Sequence, residues 1–437
     1  MEWPWLLLLI LGGMVFLMTS GMPIVVSLFT VVIIGAYVLF GGTVGLEQLI
    51  LSIYTTLTSF TLLPIPLFVL MGELMVHSGI ALNVIDVLGK WMGRIPGRLS
   101  LLTVAAGTIM STLTGSSMAS VAILGAVLVP EMESRGYHKH MVLGPILGSG
   151  GLAMMVPPSA MAIILCSIGR ISIGQTLMAI IIPGLLMALF YSCYIVFACL
   201  FRPSLAPSYD VAKVPFREKV AGLVVYVMPT GIIIFLVIGL ILLGLATPSE
   251  SAATGTIGMI FLVAVYKRMK WDVIKKSVLG TLTVTGMAFA IIASANAFSQ
   301  ILSFSGATQG LTEFATQLPL PPIVLVITMQ VVILMLGAFM DPVAILMITL
   351  PIFVPFILSL GYSDIWFATL TLLNIEMAMT SPPFGLCLFV MKGVTREEIT
   401  MMDIYMAALP YLMCDAAVMG LMLAFPQVAL WLPAISG

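Results

Sequence analysis

The feature that most constrains this chain is a pair of broken hydrophobic segments held at a constant spacing. Ser111–Pro130, STLTGSSMASVAILGAVLVP, and Gly337–Pro355, GAFMDPVAILMITLPIFVP, are each long enough to enter a membrane. Each is interrupted by small or polar residues, Thr114-Gly115-Ser116-Ser117 in the first and Met340-Asp341-Pro342 in the second. An offset of 225 carries Pro130 onto Pro355, Gly136-Tyr137 onto Gly361-Tyr362 and Pro157-Pro158 onto Pro382-Pro383 without a gap. Across the roughly forty-four positions from Gly115 to Pro158 about a dozen are identical at that offset, which marks an internal repeat. Interrupted apolar segments in corresponding places of two halves are where transporters build their sites.

Composition sets the solvent. With 61% hydrophobic and 8% charged residues over 437 positions, the chain has too little polar surface for a soluble protein of this size and reads as an all-α polytopic membrane protein. The net charge of -1 says little about partners, because most of the surface faces lipid. The five cysteines lie in apolar stretches with no metal or disulfide spacing and read as small core residues.

The placement of the basic residues orients the segments. The first span, Trp5 to about Ser20, lacks the basic flank and cleavage site of a signal peptide and reads as a retained helix. Residues 1–98 form N-terminal scaffold spans, with Leu46–Phe60 as a short interfacial arm and Gly79–Arg98 as a polar piece. Lys90, Arg94 and Arg98 precede the first broken segment and Arg135 and Lys139 follow it, so both its ends are cytoplasmic and 101–130 reads as a re-entrant hairpin. Non-helical backbone at that depth is tolerated only inside protein or beside a wet cavity. The first repeat region is 99–201, with Met141–Ile168 broken at Gly150-Gly151 and at Pro157-Pro158, and 202–219 is a cytoplasmic connector. Residues 220–321 supply second-half scaffold spans, 322–392 the second repeat region with a periplasmic-side hairpin at 322–358, and 393–437 a last span. The second hairpin is the first turned upside down, an inverted-topology repeat of the kind that supports alternating access. Arg170 is the one basic residue this topology places outside.

Broken helices leave N–H groups that suit an anion and carbonyls that suit a hard cation. The first tip offers Thr112, Gly115, Ser116 and Ser117, and the second Met340, Asp341 and Pro342. Behind them the stretches around Gly151, Pro157 and Ser159 and around Thr380, Ser381 and Pro383 break two more helices, because proline removes a donor and frees a carbonyl. Two cation sites related by the repeat are expected, each from one tip and its Pro-Pro partner. Asp341 is the strongest candidate ligand, since an ionisable residue inside a membrane segment is expensive. Glu376 and Glu250 are each weighed evenly between a functional role and that of a structural acceptor for freed N–H groups, and Glu73 and Asp415 carry less weight.

These residues resemble the large membrane subunit of tripartite ATP-independent periplasmic (TRAP) transporters, of the ion transporter superfamily. The resemblance runs through Gly21-Met22-Pro23, Gly115-Ser116-Ser117, Pro157-Pro158-Ser159, Thr247-Pro248-Ser249-Glu250, Met340-Asp341 and Asn374–Val390. It implies an elevator mechanism driven by a sodium gradient, a small membrane subunit as a separate partner, a soluble periplasmic binding protein and an organic acid as cargo, in a bacterial inner membrane. The sequence departs from the family at Ser120, often Asp, at Ala378, often Gly, and at Cys387, often Asn. With the resemblance, the sodium ligands are Thr112, Gly115, Ser116, Gly151 and Pro157 on one side and Met340, Asp341, Thr380 and Ser381 on the other. Ser117, Ser159, Pro342 and Pro383 face an anion held between the tips. The alternative is a stand-alone sodium- or proton-coupled carrier of the same superfamily. An enzyme is not expected, because no zinc-protease motif, nucleophile elbow or catalytic acid pair is present, and neither a nucleotide loop nor a nucleic-acid partner is read.

Overall fold

A chain with so few charges can satisfy its backbone in lipid only by closing hydrogen bonds inside helices or round a closed barrel. The computed structural model describes residues 3–436 apart from 93–94, 115, 208–214, 308, 311–312, 314–318 and 338–339, with side chains except at 24, 111–114 and 436. Among the described residues every regular element is helical. Eight helices are long and apolar enough to cross a membrane, or nine if one bent pair is taken as a single span.

The N-terminal part comprises α1 (Trp3–Thr19), α2 (Ile24–Leu39), α3 (Thr43–Leu57), α4 (Pro64–His77) and α5 (Ile80–Trp91). The stretch expected as an interfacial arm is α3, which packs on α2 so closely that a side chain at Gly45 would fall on the Ala36 carbonyl. The polar piece after α4 is itself a helix, α5. Its Ile80, Ala81, Val84 and Ile85 fall on one buried face at helical spacing, which outweighs the charges on the other face.

The first repeat contains α6 (Arg98–Thr114), α7 (Ser117–Ser134), α8 (Lys139–Met155) and α9 (Ala160–Gly169), followed by α10 (Ile173–Ala179) and α11 (Ile181–Phe201). Then come α12 (Phe216–Gly222), joined through a π-turn to α13 (Met228–Leu242), and α14 (Pro248–Val265) and α15 (Trp271–Phe304). The second repeat contains α16 (Pro322–Gly337), α17 (Pro342–Ser359), α18 (Asp364–Thr380) and α19 (Leu386–Val394), and the chain closes with α20 (Met401–Ala424) and α21 (Gln427–Ser436). Adding 225 to the bounds of α7 and α8 returns those of α17 and α18, so the repeat seen in sequence is a repeat of helices. Gly136 and Gly361, at the matching turns, have φ of 75° and 78°, where a side chain would be strained.

Two sets of helices emerge. In one, α4 packs on α14 and α15, and α15 also lies against α2 and α3. In the other, α8 is the hub for α6, α7, α11, α18 and α20. The helix expected to break at Gly150-Gly151 runs through them and ends only at Met155. Those glycines serve packing instead, because a side chain at Gly150 would strike Val121 and one at Gly151 would strike Glu376. Gly144 and Gly148, one turn apart, likewise admit the ring of Tyr411 from α20. The halves interlock by exchange, with α7 packed on α19 and α17 on α9.

Ion pairs gather at the end that carries the basic clusters: Lys139 with Asp403, Arg396 with Glu133 at 3.1 Å, and Lys90 with Glu218 at 3.2 Å. At the opposite end Thr247 and Glu250 form a capping box that starts α14, which makes Glu250 a structural acceptor.

Candidate functional site

Each hairpin tip is a helix N-terminus capped from the same place in the repeat. Ser116 caps α7, its hydroxyl accepting the Ala119 N–H at 3.4 Å. Asp341, its mate at the offset of 225, caps α17, and its two carboxylate oxygens accept the N–H groups of Val343 and Ala344 at 3.2 Å each. Two otherwise unpaired donors and the positive end of a helix thus compensate the carboxylate, which keeps lone pairs for a further partner. Met340, just before it, donates its N–H to the Leu336 carbonyl at 2.9 Å, and Pro342 is buried at the first helical position. Gly115 and the Thr112 side chain lie outside the described residues.

Behind each tip a helix ends at a Pro-Pro pair, and both pairs, Pro157-Pro158 and Pro382-Pro383, are cis. In the first repeat Ser159 restarts the chain by capping α9, accepting the Ala162 N–H at 3.3 Å. In the second, the Thr380 hydroxyl lies 3.2 Å from the carbonyls of Glu376 and Met377 and donates back to that turn. The chain then folds back so tightly at Gly385 that a side chain there would stand 2.5 Å from the Met379 carbonyl and 2.8 Å from that of Ser381. The breaks differ in surroundings. Pro157, Pro158 and Ser159 are buried, whereas Ser381 is half-buried, Pro382 and Pro383 are exposed, and the Pro383 carbonyl accepts the Tyr405 hydroxyl at 2.9 Å.

The structure brings each tip to the helix of its own repeat. Ser117 lies beside Gly150, and Gly337, at the end of α16, lies against the Ala378 methyl shortly before Thr380 and Ser381. Ala378, where the family resembled often has Gly, is therefore matched by the absence of a side chain at 337.

Sequence reasoning misses what joins the tips. The Ser117 hydroxyl donates to the Glu376 carboxylate at 3.1 Å, and Glu376 is 1% exposed. The same carboxylate fills the space that a side chain at Gly151 would need. Positions 151 and 376 are themselves separated by 225, and a residue meets its own repeat mate only where the axis relating the halves passes. The α8–α18 crossing is that axis. The signal is present in the spacing: Gly in one half opposite a buried acid in the other. Asp415 also does more than its place in the sequence suggests, because it is 2% exposed and accepts the buried Tyr191 hydroxyl, tying α20 to α11.

Carboxylate, hydroxyl and freed carbonyl oxygens are the ligands a hard cation takes, and these stand at Asp341, at Thr380 and around the two Pro-Pro breaks.

The model of the DctM component of tripartite ATP-independent periplasmic transporters matches residues 11–428. A C4-dicarboxylate TRAP transporter large permease protein of Rhodobacter capsulatus is 29% identical over 98% of this chain and 99% of its own length. An ectoine TRAP transporter large permease protein of Halomonas elongata is 27% identical over 97% of this chain and 98% of its own length. Among solved structures, the YdaH transporter of Alcanivorax borkumensis shares the fold, with a TM-score of 0.61 at 16% identity over 88% of this chain and 90% of that one.

Proposed function

Because this chain belongs to the DctM family of TRAP transporter large permease components, we propose that it carries a small organic acid across the bacterial inner membrane in symport with sodium. A small membrane subunit completes the permease, and a soluble periplasmic binding protein delivers the cargo. The observation that carries the sodium reading is the pair of repeat-related caps, Ser116 and Asp341, each set at a break beside a helix end. Sodium at Asp341 offsets the carboxylate, and the N-terminus of α7 then faces an anion between the tips, the Val343 and Ala344 N–H groups of α17 being taken by Asp341.

An elevator suits this packing. The hairpins and broken helices hold one another through the α8–α18 crossing and the exchanged α7–α19 and α17–α9 contacts, so they can travel as one body. The α14 and α15 helices, both packed on α4, form with it the part against which it moves. The re-entrant reading of the hairpins belongs to the same proposal, since α7 and α17 are long enough to span by length alone.

The test is uptake of labelled succinate and of ectoine into proteoliposomes holding the permease with its small subunit, with the binding protein outside. An inward sodium gradient should drive uptake of one of them, and removal of the binding protein should abolish it. Uptake that ignores sodium and follows an imposed proton gradient would overturn the coupling. Uptake undiminished without the binding protein would mark a stand-alone carrier.

A further inference from the structure

At the end opposite the basic clusters lie two cavities of about 720 Å³ and 510 Å³, and among the described residues neither is lined by one from a tip. They share Arg170 and Gln300, and among the described residues lining either Arg170 is the one that is charged. Arg170 ends α9 in the left-handed region, with φ of 54°, and is exposed. Among the described residues it has no ion pair or hydrogen-bonding partner for its guanidinium, unlike Arg135, Lys139 and Arg396 at the other end. A cation at a helix C-terminus is ordinarily explained by the dipole alone. That leaves Asn296 unexplained.

Asn296 lies one turn before Gln300 on α15, is 8% exposed, and lines the larger cavity with an amide that makes no hydrogen bond to the described residues. An amide whose hydrogen-bonding atoms open only to a cavity takes its partner there, from water or from a polar ligand. Ser172, whose hydroxyl accepts the Gln175 N–H and keeps its own proton, adds a donor to the same wall, whereas Ser167 and Thr56 give theirs to the carbonyls of Ile163 and Ser52; among the described residues no acid lines either space. A guanidinium that can pair with both oxygens of a carboxylate, beside amide and hydroxyl donors in a cavity of ligand size, is the chemistry of an organic-anion site.

We propose that Arg170, Asn296 and Gln300 form an outer station where a small carboxylate binds before it reaches the tips. The station rests on the reading that this permease carries an organic acid. It is divided between the two sets of helices: Arg170 stands at the end of α9 in the set with the hairpins, and Asn296 and Gln300 on α15 in the other. Travel of the hairpin body would therefore take the station apart and release the anion.

The test uses charged thiol reagents on the permease with its small subunit in nanodiscs. Ser299→Cys places a thiol in the smaller cavity beside Arg170, with Ser303→Cys as a second reporter on the same wall. Anionic methanethiosulfonate ethylsulfonate and cationic methanethiosulfonate ethyltrimethylammonium are compared, with rates read peptide by peptide by mass spectrometry. The anionic-to-cationic rate ratio should fall about tenfold when Arg170→Gln is added, and partly recover in Arg170→Lys. Millimolar succinate or ectoine should slow modification of the Ser299→Cys thiol in the presence of Arg170 and not in Arg170→Gln. A ratio that ignores Arg170 overturns the station. So does a ratio that falls without protection by either carboxylate, or protection given by phosphatidylglycerol in place of the soluble acids. Sodium-driven uptake by wild-type proteoliposomes is measured alongside. Its loss with the thiol results intact would strike the coupling and leave the station, and the converse would leave the coupling.

Discussion

Ser116 and Asp341 occupy the same place in two repeats and cap corresponding helices, α7 and α17, but one brings a hydroxyl and the other a carboxylate. At the second tip the carboxylate is local, held by the Val343 and Ala344 N–H groups. At the first tip the carboxylate is borrowed, since Ser117 reaches Glu376 in the other half. The Pro-Pro breaks differ in the same sense, buried behind the first tip and exposed behind the second. A duplicated frame has kept its helix bounds and caps while the two tips reach their acidic groups in different places. The second tip carries its own, and the first meets one in the second half.

The largest effect that separates the tips should come from Asp341→Ala, which removes both charge and cap. Sodium-driven uptake should fall to background, whereas Asp341→Asn, which can still cap α17, should keep the fold and lose the coupling. Measured by initial uptake rates and thermal midpoint together, equal loss of fold in both variants would break the argument.

Gly151→Ala comes next, because its methyl would enter the Glu376 carboxylate; overpacking of this kind costs about 1–3 kcal/mol. The double variant with Glu376→Ala should recover part of that loss, a non-additivity visible in a double-mutant cycle on thermal stability. Strict additivity would mean that the two positions do not meet.

Ser117→Ala should cost less, roughly 1.5 kcal/mol for leaving a buried acceptor without its partner. If the first site borrows its charge, this variant should also weaken sodium affinity there, read as a lowered Hill coefficient for sodium in uptake. Smallest of all is Ser116→Ala, a lost cap worth about 1 kcal/mol, with uptake retained at saturating sodium.

Much of this is legible because the repeat leaves an arithmetic trace. The offset of 225, read from Pro130, Gly136 and Pro157, predicts paired hairpins and breaks, and the helix bounds obey it. What the spacing leaves open is contact across the axis. In sequence Glu376 is one acid among several, because its importance comes from meeting Gly151, and a glycine carries no chemical signal of its own. Gly150-Gly151 reads as a break for the same reason, since in a helix packed this closely glycine marks the approach of a neighbour rather than a bend. Arg170 stands out by topology, but Asn296 does not, because a lone amide in an apolar helix declares itself only when the cavity beside it is seen.

The most direct measurement is the thermal midpoint of the permease, with its small subunit, in sodium against potassium at equal ionic strength. Wild type, Asp341→Asn and Ser117→Ala are compared. An ion that binds the folded state at about one hundred times its dissociation constant stabilises by roughly 2.7 kcal/mol, which is readily seen. Sodium should raise the wild-type midpoint, Asp341→Asn should lose most of the shift, and Ser117→Ala should lose a smaller part. Indistinguishable midpoints in sodium and potassium for folded wild-type protein would contradict sodium coupling at the tips.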